Sequence, residues 1–378
     1  MHHFIFPSKT AWISSGSSNL TGESFRNQNF GKDQIFEIKK EFYNFSMNYQ
    51  TRGLIEFNGD EFNKMSQSLV DGDITADAKF YLRLYEAEGN QDLSTEYKVL
   101  AQPLSQSWVE GRGKFSDEPK VTDGTSWENR EFPDGGTAIT WSNADGSQTQ
   151  GGSVLSVSHS VQSFSDESPD IELDISDMTR AWLSGSDPQV LNGFNNNGLL
   201  LRFSGSQESN SSSFGHLKFF SRHTHTIYSP RLEVRWNDVS HSVGDNTLSE
   251  LTMSGDVDNH LYIPNLKESY KEDEKVKFRI KPRKRYIQKT FDTSVQTLSG
   301  SYVPASSGSY SIIDVTTGEA IVPFSGYTSM SCDNTSNYFI QWLNGFHTDR
   351  VYKILLKVTY DDGQEIIHDN DFEFIVKR

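Results

Sequence analysis

Three tryptophans in one turn-rich segment are the first residues of this sequence that could bind a ligand. Trp108, Trp127 and Trp141 lie within residues 107–152, at spacings too irregular for one face of a strand. An indole ring serves either as a hydrophobic anchor or as an amphipathic contact surface, and apolar sugar faces pack on such rings. We expect the three rings to anchor these loops against the end of a β-sandwich; a ligand-binding platform is the alternative.

A histidine pair and one glutamate are the next candidates. His223 and His225 stand two residues apart in RHTHT, a spacing that would place both imidazoles on one face of a strand. Neutral imidazole is a ligand for Fe, Zn or Ni, but no third ligand type stands nearby, so a polar, exposed strand face is favoured over a metal site. Glu110 in SWVEGRG is the nearest candidate for a glycosidase acid. It has no apolar setting that would raise its pKa for that role, so we expect it to brace its loop through an Arg or backbone amides.

Two oxygen-rich segments, FSDESPDIELD and NNNG, are candidates for a structural Ca²⁺ site. Neither has the D-x-[DN]-x-[DN]-G spacing of a calcium loop, which favours turn and capping roles instead. The sequence contains no G-x-S-x-G motif, no nucleophilic Cys/His arrangement and no phosphate-binding glycine loop. We therefore expect no catalytic residues, no enzyme activity and no cofactor, with a structural Ca²⁺ as the alternative that stays open.

The stretch from Lys275 to Arg285 is the one local positive patch. An alternating strand face explains part of it. The functional alternative is docking onto an acidic partner subunit. The residues that would make that contact are Lys281, Arg283, Lys284 and Arg285.

These candidates must be positioned by β-structure, and the segment 168–210 shows the pattern most clearly. It is predicted to form a strand, one short helix, a loop and a second strand. Ser176 stands at the N-cap position, Trp182 lies on the helix, and Gly185 in SGSDP ends it. Apolar residues alternate in both strands: Ile171, Leu173 and Ile175 in the first, Leu199, Leu201 and Phe203 in the second.

Other segments of the first 238 residues also alternate. In FYLRLY, Phe80, Leu82 and Leu84 share one face, and EYKVLAQP is predicted to be its hairpin partner. The segment from residue 58 to 77 is predicted to be a polar connection. The closing strand RLEVRW is predicted to point its apolar residues inward and its charged residues outward; the two sets are Leu232, Val234 and Trp236, and Arg231, Glu233 and Arg235.

Residues 251–378 are predicted to form a second β domain. KVKFRIKPRKR and VYKILLKVTY alternate apolar with basic or polar residues, and YSIIDVTTGEAIVPF is predicted to be a hairpin that turns at TTGE. The polar stretch 239–250 is the predicted linker, which leaves residues 1–238 as the first domain. The expected fold class is all-β: a jelly-roll-like antiparallel sandwich followed by a smaller β-sandwich.

Composition narrows the functional classes. The 378 residues carry a formal net charge of −16, which argues against a nucleic-acid binder, since phosphate neutralisation needs concentrated Lys and Arg. The single Cys332 excludes an internal disulfide framework. No run approaches the ~20 apolar residues of a membrane span. MHHFIFPSKTAW has no basic region followed by an apolar core, so we expect no signal peptide.

Two resemblances add to this reading. The ordered motifs TAWISSGS, RGLIEFN, FYLRLY, SWVEG, LDISDMTRAWLSG and NNNGLLLRFSG, within residues ~10–236, resemble DNRLRE-type (disaggregatase-related) β-sandwich modules. In the last ~120 residues, the segment SYSIIDVTTGEAIVPFSGYTSMSCDNTSNYFIQWLNGF and the later RVYKILLKV resemble C-terminal regions of structural proteins of tailed phages. The first resemblance implies binding or structure rather than catalysis; the second implies a tail, neck or baseplate component.

These observations predict a non-enzymatic phage virion component, made in the host cytoplasm. Its expected partners are other virion proteins, with a symmetric homo-oligomer as a further expectation. The alternative function is a carbohydrate-binding adhesin that recognises host-surface glycans.

Overall fold

The computed structural model describes the chain except for residues 19–21, 44–46, 89–95, 158, 166–169, 185–192, 245–246, 255–257, 287–292 and 294–299. The described residues form two compact units. The N-terminal unit comprises Ile5–Asp73 and Lys79–Val234, and the C-terminal unit comprises Met1–Phe4, Ile74–Ala78 and Arg235–Arg378.

The elements are numbered in chain order. Those that precede residue 236 are β1 (His2–Ile5), β2 (Lys9–Ser14), β3 (Ile35–Tyr43), β4 (Met47–Glu56), α1 (Asp60–Val70), β5 (Lys79–Leu84), β6 (Glu86–Glu88), β7 (Glu96–Pro103), β8 (Asn129–Glu131), β9 (Ile139–Thr140), β10 (Ser160–Ser165), β11 (Ile171–Asp174), α2 (Ser176–Ser184), β12 (Leu199–Phe203), α3 (Gly205–Ser209), β13 (Gly215–Phe220) and β14 (Arg231–Arg235). Those that follow are β15 (Leu248–Glu250), β16 (Asn259–Tyr262), β17 (Ser269–Lys271), β18 (Lys275–Lys284), β19 (Gly300–Tyr302), β20 (Gly308–Asp314), β21 (Ala320–Val322), β22 (Ser331–Cys332), β23 (Asn337–Trp342), β24 (Arg350–Thr359) and β25 (Glu365–Lys377).

The predicted fold class is confirmed: the protein is all-β, with 44% strand and 8% helix, and its sheets are largely antiparallel. β5 shows why the sequence pattern succeeded. Phe80, Leu82 and Leu84 are buried while Lys79, Tyr81 and Arg83 are half-buried, because successive side chains of a strand point to opposite faces.

The N-terminal unit contains a large antiparallel sheet in the order β10-β7-β12-β4-β3-β13-β6, with β2 also paired to β4. A second sheet places β14, β5 and β11 side by side. The predicted hairpin of β5 with β7 is wrong. β5 pairs with β11, and β7 pairs with β10 and β12 in the other sheet.

The predicted polar connection after β4 is also wrong over part of its length, because residues 60–70 form α1. Phe62 and Met65 are its buried residues, and their spacing of three places both on one face of the helix. Asp60 and Glu61 lie in the first turn, where acidic side chains interact favourably with the helix dipole. The burial of these two apolar side chains therefore anchors a helix whose other residues are mostly polar.

Helix α2 begins at the predicted residue, but Ser176 contributes differently from a simple cap. Its Oγ accepts the Phe80 N–H at 2.9 Å, and its own N–H donates to Asp174 Oδ1 at 2.9 Å. Met178 and Trp182 are the apolar residues that the helix buries. Gly185, Ser186, Asp187 and Pro188 of SGSDP lie outside the described residues.

Strand β14 corrects the expectation that its charged side chains face solvent. Arg231 and Glu233 are 1% and 0% exposed, and Arg83 lies 3.4 Å from the Glu233 carboxylate. The guanidinium of Arg231 also lies 5.3 Å from the centroid of the Tyr85 ring. The alternating sequence predicted the strand correctly. It did not predict that Arg231 and Glu233 are buried, where Glu233 pairs with Arg83 and Arg231 packs on Tyr85.

The C-terminal unit is a β-sandwich. One sheet has the order β16-β18-β23-β22, another has the order β17-β25-β24-β20-β21, and β15 pairs with β19. Val276, Phe278 and Ile280 of the first sheet share one core with Ile354 and Leu356 of the second. The predicted hairpin around TTGE is present as β20 paired with β21.

Candidate functional site

The three candidate tryptophans lie together in the N-terminal unit. Trp108, Trp127 and Trp141 are 1%, 6% and 0% exposed and belong to one hydrophobic cluster. The other buried members of that cluster are Ala11, Ile13, Leu54, Leu104 and Leu200. With both faces of each ring covered, no indole presents a surface on which a sugar could stack. This location fits the loop-anchor interpretation.

Hydrogen bonds fix two of these rings. Trp108 Nε1 donates to the Asn197 carbonyl at 3.0 Å, and Trp141 Nε1 donates to the Ser126 carbonyl at 3.0 Å. Buried indole N–H groups generally need such partners. Trp108 therefore ties the loops of residues 107–152 to the NNNG turn, and Trp141 ties two of these loops to each other.

Glu110 is the centre of a charged network that includes one of the two candidate histidines. Its carboxylate lies 2.6 Å from Lys32 Nζ, 3.1 Å from His223 Nε2 and 3.2 Å from an Arg222 nitrogen. The backbone N–H of Thr10 also donates to Glu110 Oε1 at 3.0 Å. Glu110 thus braces its loop through an Arg and a backbone amide, as the sequence analysis expected, with Lys32 and His223 as further partners.

The electrostatics of this network favour the ionised form of Glu110 at neutral pH. Burial alone would raise the pKa of the carboxyl, but Lys32, the Thr10 amide, Arg222 and His223 outweigh burial and hold the pKa below its ordinary value. Burial lowers the pKa of His223, despite the opposing effect of Glu110. A general acid needs the opposite shift, so the arrangement is that of an ion-pair network.

The histidine pair does not share a strand face. Residues 221–230 form turns rather than a strand; His223 is half-buried against Glu110, and His225 is exposed. Among the residues that the structure describes, no three or more His, Cys, Asp or Glu side chains are grouped to hold a metal ion.

The oxygen-rich segments make hydrogen bonds within the protein where they are described. Asp170 Oδ1 accepts the Glu86 N–H at 2.7 Å, and Asn196 Oδ1 accepts the Gly198 N–H at 3.2 Å. The Asn196 contact is a turn contact, as expected for NNNG, whereas the Asp170 contact joins two segments that lie far apart in the chain. Cys332 is buried, and burial raises the pKa of its thiol to about 11.

The basic stretch lines an open cleft in the C-terminal unit, which we call the basic cleft. Its volume is about 850 Å³. Lys281, Arg283 and Lys284 of β18 contribute to its wall, together with Tyr262 and Tyr286. Among the described residues, these three cations have no ion-pair partner, whereas Arg285 lies 3.1 Å from Asp258. The two tyrosines are 36% and 78% exposed, so aromatic and cationic groups are both accessible there.

A second cleft, in the N-terminal unit, was not predicted from the sequence. It has a volume of about 730 Å³, and we call it the Phe115 cleft; Trp12, Ser14, Glu37, Lys39, Thr51 and Phe115 are among its lining residues. Thr51 lies at its centre, because this residue of β4 is in register with Ser14 of β2 and with Lys39 of β3. Glu37, Lys39 and Glu41 alternate along β3 with buried residues and so share the face that lines the cleft.

The residue that organises one end of this cleft is Asp33. Its carboxylate accepts the Trp12 indole N–H at 2.9 Å and the Phe115 backbone N–H at 3.1 Å. Burial raises the pKa of the Asp33 carboxyl to about 6, against the lowering effect of the two N–H groups. The sequence carries no signal for this cleft beyond single aromatic residues in loops, because the contributing segments lie far apart in the chain.

Comparison with known proteins does not place the chain in a family: no protein-family model matches it, and no curated protein matches it either. In the described part of the chain, no helix has both the length and the apolar character that crossing a membrane requires.

Proposed function

We propose that the protein is a non-enzymatic structural component of a tailed-phage particle that acts through protein–protein contacts. The C-terminal unit docks on an acidic surface of a neighbouring subunit, and the basic cleft makes that contact. The observation that carries the proposal is the set of three cations, Lys281, Arg283 and Lys284, that lack ion-pair partners among the described residues and line one open cleft.

Because the wall of this cleft is positively charged, the partner that fits it is an acidic protein surface. The protein as a whole is acidic, with a net charge of −16, so a concentrated positive wall is a local exception. Complementary potentials accelerate encounter and fix the register of two subunits. Exposed Tyr286 adds the large aromatic contact that interface centres favour.

The position of the cleft fits docking. β16 is an edge strand of its sheet, paired only with β18 in the sheet order. Edge strands leave backbone groups open for pairing with another chain unless they are covered. A subunit seated over the basic cleft would cover this edge as well as neutralise the cations.

A charge-reversal pair of variants tests the proposal. Lys281→Glu, Arg283→Glu and Lys284→Glu are combined in one variant, and Lys267→Glu, Lys271→Glu and Lys377→Glu in a control with the same net charge and the same unit. Each is supplied in trans during infection by a phage that lacks the wild-type gene. We expect the control to enter purified particles and the cleft variant to be depleted at least tenfold on immunoblots. Equal incorporation of both folded variants would contradict the proposal.

A second candidate function is glycan recognition. The three buried indoles offer it no surface, so it needs another site. The Phe115 cleft, which combines an exposed aromatic ring with polar side chains, is the observation that favours it.

A further inference from the structure

We propose that the Phe115 cleft binds a short, uncharged oligosaccharide, with one sugar ring stacked on Phe115 and the sugar hydroxyls hydrogen-bonded to the charged residues of β3. The site lies wholly in the N-terminal unit and makes no use of the basic cleft. The proposed sugar site can therefore be tested independently of the docking role.

The aromatic end of the cleft has the form of a supported platform. The Phe115 side chain is 58% exposed. Its ring centroid lies 5.7 Å from that of Phe25, 6.1 Å from that of Trp12 and 6.3 Å from that of Phe30. Trp12 and Phe30 are themselves stacked at 3.6 Å. The exposed ring thus rests on packed rings and presents an apolar surface to the cleft.

The Asp33 carboxylate holds the platform in place. Asp33 receives both the Phe115 backbone N–H and the Trp12 indole N–H, so one carboxylate fixes the loop and the ring beneath it. A binding surface ordered before the ligand arrives loses little conformational entropy on binding. Apolar C–H faces of a pyranose pack on such a surface, whereas its hydroxyls point to the sides.

The polar floor of the cleft supplies partners for those hydroxyls. Lys39 Nζ lies 2.5 Å from the Glu41 carboxylate, and Lys218 Nζ lies 4.0 Å from that of Glu37. Ammonium groups donate hydrogen bonds and carboxylates accept them, and a hydroxyl can do both. Ser14 and Thr51 add hydroxyls at the centre, where Thr51 Oγ1 donates to Ser14 Oγ at 3.0 Å.

The pairing of charges decides the class of sugar. Because the lysines of the floor lie beside glutamates, an anionic sugar would meet carboxylates as well as ammonium groups. No excess of unpaired cations comparable to that of the basic cleft lines the described part of this cleft. The volume of about 730 Å³ matches a small-molecule site, for which ~300–1,000 Å³ is typical.

Calorimetric titration of the full chain tests the site, with neutral hexasaccharides (gluco-, manno-, galacto- and xylo-configured) as ligands and polygalacturonate as the acidic comparison. We expect at least one hexasaccharide to bind, and Phe115→Ala to weaken its affinity about tenfold, which corresponds to the loss of one ring contact. Phe42→Ala is the matched control, because Phe42 is 51% exposed and does not line the cleft. Its affinity should stay within about twofold of the wild type.

Three results would overturn the inference. The first is the absence of binding by every neutral hexasaccharide. The second is binding that Phe115→Ala and Phe42→Ala leave equally intact. The third is binding of polygalacturonate alone, abolished by added salt, which would assign the cleft to acidic polymers. None of these results bears on incorporation of the protein into particles, so the docking proposal is judged separately.

Discussion

Removing the charge of Glu110 should destabilise the N-terminal unit measurably. In Glu110→Gln the side chain keeps its shape, and the introduced amide oxygen can still accept the Thr10 N–H, which lies 3.0 Å from Oε1. The amide nitrogen, however, replaces the oxygen that lies 2.6 Å from Lys32 Nζ, so two donors face each other. The variant therefore loses the ion pairs and adds one unfavourable contact.

The size of the expected loss in unfolding free energy depends on how exposed the ion-paired side chains are. A hydrogen bond to a charged group contributes about 1.5–3 kcal/mol when buried, and exposed ion pairs contribute about 0.2–1 kcal/mol. Glu110 is 11% exposed by side chain, but Lys32 and Arg222 are 36% and 33% exposed, so solvent screens both pairs. We expect Glu110→Gln to lower the free energy of unfolding by about 1–1.5 kcal/mol at pH 7, between the exposed and the buried range.

Urea unfolding followed by tryptophan fluorescence measures this change. Five of the seven tryptophans lie in the N-terminal unit, so the signal reports mainly on it. Glu88→Gln is the control: Glu88 pairs with Lys218 at 2.6 Å but is 56% exposed, so solvent screens the pair and its loss should cost less stability than the loss of Glu110.

The pH dependence of the same variant gives a second check. The pKa of Glu110 lies below its ordinary value in the folded state, so its contribution is present above the unfolded pKa and is lost as pH falls through the folded pKa. The difference between wild type and Glu110→Gln should therefore shrink in acid. A difference at pH 7 no larger than that of Glu88→Gln, or one unchanged at pH 3, would refute the reasoning.

Three further predictions concern other buried groups. Trp141→Ala should cost about 3–5 kcal/mol in the same urea assay, because it empties a fully buried site; a loss below about 1 kcal/mol would contradict that packing. Asn29→Ala should cost about 2–3 kcal/mol, since the Asn29 amide bridges the Glu110 and Thr125 carbonyls at 2.8 Å each and accepts the Gly113 N–H at 2.8 Å; wild-type stability would disprove the bridge. Burial lowers the pKa of His3 to about 4, so its neutral form stabilises the fold above pH ~6.5 and this contribution is lost as pH falls toward 4. Thermal melts of His3→Phe should show a weaker pH dependence than wild type across that window, and an identical dependence would exclude His3.

The strands could be predicted because the alternation of apolar and polar residues is visible within each short segment of the sequence. β5, β18 and β24 each bury every second residue, and each appears where alternation predicts it. α1 was missed although it carries a signal, since Phe62 and Met65 stand three residues apart within an otherwise polar stretch. One such pair of apolar residues in an 11-residue segment is too little to predict an amphipathic helix from the sequence alone.

Strand pairing and the sites depended on contacts that no local pattern encodes. β7 follows β5 in the chain, yet it pairs with β10 and β12, because partner choice is settled by packing across the whole unit. β12 buries Leu200 as well as Leu199 and Leu201, since Leu200 packs in the tryptophan cluster on the other side. Phe115 and Trp12 stand about a hundred positions apart and meet only in the folded chain, so the cleft they share had no signature.

The most direct test of the proposed structural role is cryo-EM imaging of particles purified from the source of this sequence, labelled with an antibody against residues 251–378. We expect label at one fixed position on the tail, neck or baseplate of a phage particle. Particles without label, in preparations where the protein is found on cells instead, would contradict it.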